Sequence, residues 1–320
     1  MRWSLVLTLS VAQPKHLRVP AMVRITLLAV AILLALPSLA GATEPPDAKW
    51  YLNDVDPAWA LVRAELIQRS LIRGQSVEPF DPLKADRPDF TESPTTMGLR
   101  RLQLEAGWTY LHDTAEGIDT NVHVLPELLL RFGLTERIEL RLAWSGYESH
   151  KETDANAIEI ASYEGGTDPW FGCKLQVSKQ QVWLPESAMI VSASAPVGAR
   201  VWTSDRVDTV VNYIYAWDLT DRLSVAASTG AWWTEQNGDA MSVIHQSAVV
   251  GLALTERLGT YFEWFGLFYH GSPVDRPEHY VNGGFTFLVT ENLQFDWRLG
   301  VGLPEASDDL FTGVGFVIRW

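Results

Sequence analysis

Any chemistry this chain performs has to come from its charged residues and its few histidines. His245 and Ser247 stand two apart in an alternating run, so they share one face of a strand and form the best base–hydroxyl pair in the sequence. Two polar residues turned toward a wet interior are the commoner meaning of such a pair. His150, Glu152 and Asp154 have loose metal-ligand character, but they fall in a stretch rich in Glu, Asp, Gly and Lys that reads as a solvated loop. No glycine-rich phosphate loop and no zinc spacing occur. The single Cys173 excludes an intrachain disulfide and a cysteine-rich metal site. A net charge of −14 leaves no basic excess to neutralise a nucleic-acid backbone. The expectation is a protein without cofactor, metal or catalytic set, with hydrolysis at His245 the weakest reading.

A larger group of charges has a pattern. Glu105, Glu127, Arg131, Glu139, Arg141, Lys174, Glu263, Asp296, Arg298 and Arg319 each occupy the polar phase of a run in which apolar residues alternate. In the first run Leu102, Leu104, Ala106, Trp108 and Tyr110 share one face, with Gln103, Glu105 and Thr109 on the other. The second assigns Val122, Val124, Leu128, Leu130 and Phe132 outward and His123, Glu127 and Arg131 inward; the third puts Ile138, Leu140, Leu142 and Trp144 out. Period-2 alternation of this length is what a tilted strand needs to cross a bilayer. Two roles for the inward charges stay open: lining a water-filled path, as rings of charge do in pores, or pairing into a salt-bridged plug.

The elements that position these residues announce themselves by a repeated phrase. Leu219-Thr220-Asp221-Arg222-Leu223, Leu254-Thr255-Glu256-Arg257-Leu258 and Val289-Thr290-Glu291-Asn292-Leu293 recur at equal intervals, and Leu134-Thr135-Glu136-Arg137-Ile138 precedes them. A period containing two strands, a tight polar turn and a longer loop is the mark of an up-and-down antiparallel barrel. Fourteen tryptophans suit the aromatic girdles of such a barrel in a membrane. The expected fold is all-β, a transmembrane antiparallel up-and-down β-barrel of about twelve strands over 101–320. The Thr-centred turns and 179–185 would face the periplasm, and 148–167 would be the longest external connection. Backbone groups in hydrocarbon must be paired, so the sheet has to close on itself.

The two ends carry their own expectations. Residues 1–42 read as an export signal, with 1–21 as an over-long start, an apolar run Ile25 to Leu36 and small residues up to Ala42. Residues 43–100 form a periplasmic or lumenal lead-in with a short helix at 57–73, where Asp56-Pro57 opens and Gly74 stops it. At the other end Phe316, Ile318 and Trp320 alternate to the last residue, resembling the C-terminal signal read by the barrel-assembly machinery.

Asp86-Arg87-Pro88-Asp89-Phe90-Thr91-Glu92, then Gln103-Leu104-Glu105-Ala106-Gly107-Trp108-Thr109-Tyr110, and then Leu125 through Thr135 resemble the group named for the MetA-pathway of phenol degradation. The resemblance extends over about residues 85 to 320, and it implies an outer-membrane protein of the kind described as a transporter. The group's name implies uptake of aromatic compounds, and the group has no catalytic residues to carry over. The resulting expectation is a passive outer-membrane channel for small, aromatic or hydrophobic solutes, with outer-membrane lipids and the assembly machinery as partners. The alternative is a plugged barrel with a structural or docking role, in which Asp86, Arg87, Asp89 and Glu92 fill the lumen.

Overall fold

The computed structural model describes residues 82–320 apart from 237–238, 272–275 and 304–305. The expected export signal and the helix at 57–73 lie outside the described residues. From Leu102 onward the alternating runs become strands: β1 (Leu102–Ala115), β2 (Ile118–Gly133), β3 (Ile138–Trp144), β4 (Tyr147–Asp154), β5 (Glu159–Gly166), β6 (Pro169–Ser178), β7 (Glu186–Ser194), β8 (Thr209–Asp218), β9 (Leu223–Gln236), β10 (Asp239–Ala253), β11 (Leu258–His270), β12 (Glu278–Thr290), β13 (Leu293–Gly302) and β14 (Leu310–Arg319). Neighbours pair antiparallel, and the sheet closes because β1 pairs with both β14 and β2.

β2 serves two partners along its length. Leu128–Gly133 pairs with β3, while Ile118–Leu125 pairs with β4. β6 pairs alongside β3, and β5 alongside β4. The pairs β3/β4 and β5/β6 are therefore two staves, each broken once, and the wall has twelve staves, as the alternation predicts. The interruption has a local cause. Pro126 lacks an N–H for the ladder, and opposite it Gly146 adopts φ 105°, where an added Cβ would meet the Pro126 carbonyl oxygen at 2.6 Å. Only glycine fits there.

Two expectations are corrected by this break. Gly107 pairs with Glu127 but Thr109 pairs with Val124, so β2 spends an extra residue against β1 and its alternation changes phase. Val122 and Val124 are consequently buried inside, and His123 is on the outer face, its ring stacked 5.8 Å from that of Trp108. The stretch 148–167 is likewise no loop: it is the β4–β5 hairpin. His150, expected in a solvated loop, is 2% exposed and packs against Trp202 with ring centroids 4.4 Å apart. The long outer connection is instead 195–208. Asp168 holds it by accepting bonds from Val197 N (2.9 Å), Gly198 N (2.7 Å) and Thr203 Oγ1 (2.9 Å).

The repeated phrase explains itself at atomic scale. The hydroxyl of Thr135 accepts from Arg137 N and Ile138 N, that of Thr220 from Arg222 N and Leu223 N, and that of Thr255 from Arg257 N and Leu258 N, at 2.9 to 3.2 Å. Thr290 accepts likewise from Asn292 N. Each threonine supplies the acceptor that a tight turn between two strands otherwise lacks.

Direction follows from adjacent residues. Phe262 is 61% exposed on the outer surface, and its neighbour Glu263 is fully buried inside. Leu140, Leu142, Phe171, Phe285, Phe295 and Trp297 are exposed on the same outer surface. An apolar outside around a charged inside is the arrangement of a membrane-spanning barrel. The lumen is not uniformly polar, however. Two apolar clusters lie inside, one including Leu129, Trp170, Trp232 and Leu267, the other Leu111, Val122, Phe265 and Phe311, and both pack against Phe90.

Candidate functional site

Residues 82–97 form neither helix nor strand. Their prolines and alternating charges suit no regular element, and a segment without one must find partners for its backbone elsewhere. It finds them on the inner wall. Asp86 N donates to both carboxylate oxygens of Glu105 at 3.1 Å. Phe90 N and Thr91 N each donate to Glu263 at 2.7 Å, and Met97 N donates to Glu139 at 3.1 Å. In return the wall donates to the segment's carbonyls: Lys174 Nζ to Ser93 O (2.7 Å), Arg131 Nη2 to Thr95 O (2.8 Å) and Arg298 Nη1 to Pro88 O (3.3 Å).

Side-chain charges are matched just as closely. The Asp86 carboxylate is met by Arg141, by Lys174 Nζ at 3.0 Å and by Arg131 Nη1 at 3.4 Å. Arg87 reaches the opposite side, to Glu127 at 3.0 Å and Asp296 at 3.1 Å. Glu92 accepts from Arg141 Nη2 at 2.6 Å and from Asn212 Nδ2 at 3.0 Å. Within the wall Glu139 pairs with Arg131 (2.8 Å) and Arg141 (2.9 Å), and Arg131 also meets Glu105 at 3.2 Å. Charges this deeply buried survive because each of those named meets an opposite charge.

The wall is shaped to the segment as well as charged for it. A Cβ added to Gly107 in β1 or to Gly315 in β14 would lie 2.4 Å from the Arg87 guanidinium. Phe90 stacks on Phe265 with ring centroids 4.4 Å apart, and meets His245 edge-on at 5.6 Å. A cavity of about 50 Å³ remains between segment and wall, lined by Asp86, Asp89, Phe90, Glu105, Leu129 and His245 among others. That is room for water but not for a solute.

Nine of the inward charges expected from the sequence therefore come together around one segment: Glu105, Glu127, Arg131, Glu139, Arg141, Lys174, Glu263, Asp296 and Arg298. Arg319 does not join them; it bonds Asn292 Oδ1 and the Glu291 carbonyl, both 3.1 Å, at the turn end of the barrel. Phe316 and Ile318 lie on β14 opposite Ala106 and Leu104, and Trp320 is 46% exposed. Asn212, Gly107 and Gly315 were not singled out by the sequence. Asn212 lies on the inward phase of β8 and alternation could have found it; nothing in a sequence marks a glycine as the seat of a guanidinium. The hydroxyl of Ser247 bonds those of Thr91 (2.6 Å) and Ser228 (2.7 Å), which places it in the seating of the segment. Among the described residues no three His, Cys, Asp or Glu side chains are grouped to hold a metal ion.

At the outer end, Glu278 accepts from Tyr269 Oη (2.8 Å) and Tyr280 Oη (2.9 Å), and Tyr280 Oη also meets Asp308 at 3.2 Å. Burial first, then the carboxylates of Glu278 and Asp113, push the Asp308 carboxyl up to about 7.

No curated protein matches the chain. Among solved structures it is similar to an outer membrane channel from Pseudomonas putida F1, at 14% identity over 73% of this chain and 99% of that one, with a TM-score of 0.56. Looser likenesses include the KdgM porin (11% identity, 66% of this chain and 98% of that one, TM-score 0.40) and the CymD monoaromatic hydrocarbon channel (9%, 70% and 89%, 0.36). The first establishes a shared outer-membrane barrel fold. Residues 85–320, from the lumenal segment to the last strand, match the family described as "Putative MetA-pathway of phenol degradation", and the chain belongs to that family.

Proposed function

We propose that the protein is a passive outer-membrane channel for small solutes whose path is held shut by residues 82–97. The observation that carries this reading is the seating of Asp86, Arg87 and Glu92. They are attached to the wall by ion pairs and hydrogen bonds rather than as a strand of the sheet, so the segment can leave without unzipping the barrel. The wall charges Glu105, Glu127, Arg131, Glu139, Arg141, Lys174, Glu263, Asp296 and Arg298 then line the opened path. The fold shared with the P. putida channel supports the same reading, and the apolar inner clusters suit solutes with apolar bodies. An export signal at 1–42 delivers the chain, outer-membrane lipids surround the barrel, and Phe316, Ile318 and Trp320 serve its assembly.

The close pairing of Asp86, Arg87 and Glu92 favours a second reading, a permanently plugged barrel with a structural or docking role. Conductance in planar bilayers separates the two. Deleting residues 82–92 is expected to turn a rarely opening barrel into a steadily conducting one. Neutralising Arg131, Arg141 or Glu127 should then change its ion selectivity. A barrel that stays silent in every form sinks the channel.

A further inference from the structure

The wall gathers three cations around one carboxylate of the segment, that of Asp86, and a second, Glu92, reaches Arg141 alone of the three. Arg131, Arg141 and Lys174 are at most 4% exposed, and all three meet the carboxylate of Asp86. The wall carboxylates touching this group are two, Glu105 and Glu139. On the wall three positive charges stand against two negative, and the segment adds two more carboxylates, Asp86 against all three cations and Glu92 against Arg141 alone. Once the segment leaves, Asp86 and Glu92 go with it, and the three cations keep only two countercharges, a net positive charge that draws in another anion. The donors are two guanidinium forks and an ammonium, the set that best fits a planar carboxylate.

We propose that the seat of the Asp86 side chain is a binding site for the carboxylate of a small organic monocarboxylate, which Asp86 imitates while the segment is in place. This rests on the plugged-channel reading, since the site becomes vacant when the segment moves. A neutral solute leaves the positive charge unmatched. An acid with a second carboxylate brings that group toward Glu105 and Glu139. A single carboxylate therefore fits the charge balance. The cavity of about 50 Å³ beside Asp86 gives the group attached to the carboxylate its first space, and its lining runs from Glu105 to Leu129 of the inner apolar cluster.

The test uses the whole chain on a Glu92→Gln background, which leaves Arg141 no second carboxylate from the segment; there Asp86→Gly removes the equivalent of one acetate. Thermal unfolding in detergent is followed with acetate, acetamide and chloride at matched ionic strength. Acetate is expected to raise the midpoint of D86G saturably by a few degrees, with acetamide and chloride without effect. Wild-type protein, whose site is filled, should not respond, and adding Lys174→Met to D86G should abolish the response. If D86G does not fold, Asp86→Ala, which also removes the carboxylate and empties its seat, is read in the same way. Equal responses to acetate and chloride, or a response surviving Lys174→Met, overturn the site. Conductance of the same variants keeps the two readings apart. An acetate response in a barrel that never conducts supports the site and removes the channel, whereas conduction without an acetate response overturns the site alone.

Discussion

Arg141 binds three carboxylates at once: Asp86, Glu92 and Glu139. Replacing it by Met leaves those acids crowded in a buried place with only part of their countercharge. The cost should be about 3–5 kcal/mol, the usual penalty for breaking a buried pair from one side. Urea unfolding of Arg141→Met in detergent checks this; a loss well under 1 kcal/mol would mean that water reaches these charges freely. A different residue governs the outer rim. Asp308 is pushed up to about 7 by burial and by its neighbours Glu278 and Asp113, with Asp309 beside it, and its raised value makes the sign plain. Its contribution to holding the 306–309 rim is present below the ordinary carboxylate range, near 4, and is lost as pH rises through about 7. Hydrogen exchange at 306–309 should therefore accelerate as pH is raised across that value.

At the scale of elements, the lumenal segment and two strands are fitted to each other through Gly107 and Gly315. Valine at Gly107 places methyl groups where the Arg87 guanidinium lies. Gly107 sits in an extended ladder position and the three atoms nearest its added Cβ all belong to Arg87, whereas at Gly315 the Ala106 carbonyl oxygen also lies 2.6 Å away, so the substitution is confined to Gly107. The expected outcome is a barrel that still folds while Arg87 loses Glu127 and Asp296. Planar-bilayer recordings of Gly107→Val should show more frequent opening than wild type. An unchanged trace would mean that Arg87 is not what keeps the segment seated. The turns behave differently, because their hydrogen bonds are local to each hairpin and independent of the lumen.

For the whole molecule, the decisive contrast is between adjacent residues on one strand. Phe262 faces outward into the apolar surroundings and Glu263 faces the segment. An arginine at 262 has to lie in lipid, costing about 2–4 kcal/mol at mid-membrane depth. Unfolding of Phe262→Arg in lipid vesicles measures that loss. The same variant in mild detergent should leave the ion pairs of the lumen intact. A variant equally stable in both settings would contradict a lipid-facing surface.

Read from residues alone, the chain discloses its closed sheet and its twelve staves, because alternation and hydrogen-bonding turn residues are local properties written in order along a strand. The inward charges from Glu105 to Arg298 were legible for the same reason. The phase change in β2 was not. It depends on Pro126 meeting Gly146 across the wall, and a period-2 pattern carries no record of an extra residue on a partner strand. Nor could the sequence choose between a charged path and a charged seat, since Arg131 or Glu263 reads alike in either. Only the folded barrel decides which opposite charge stands within reach, because ion pairing falls off over a few ångströms while Asp86 and Lys174 are far apart along the chain.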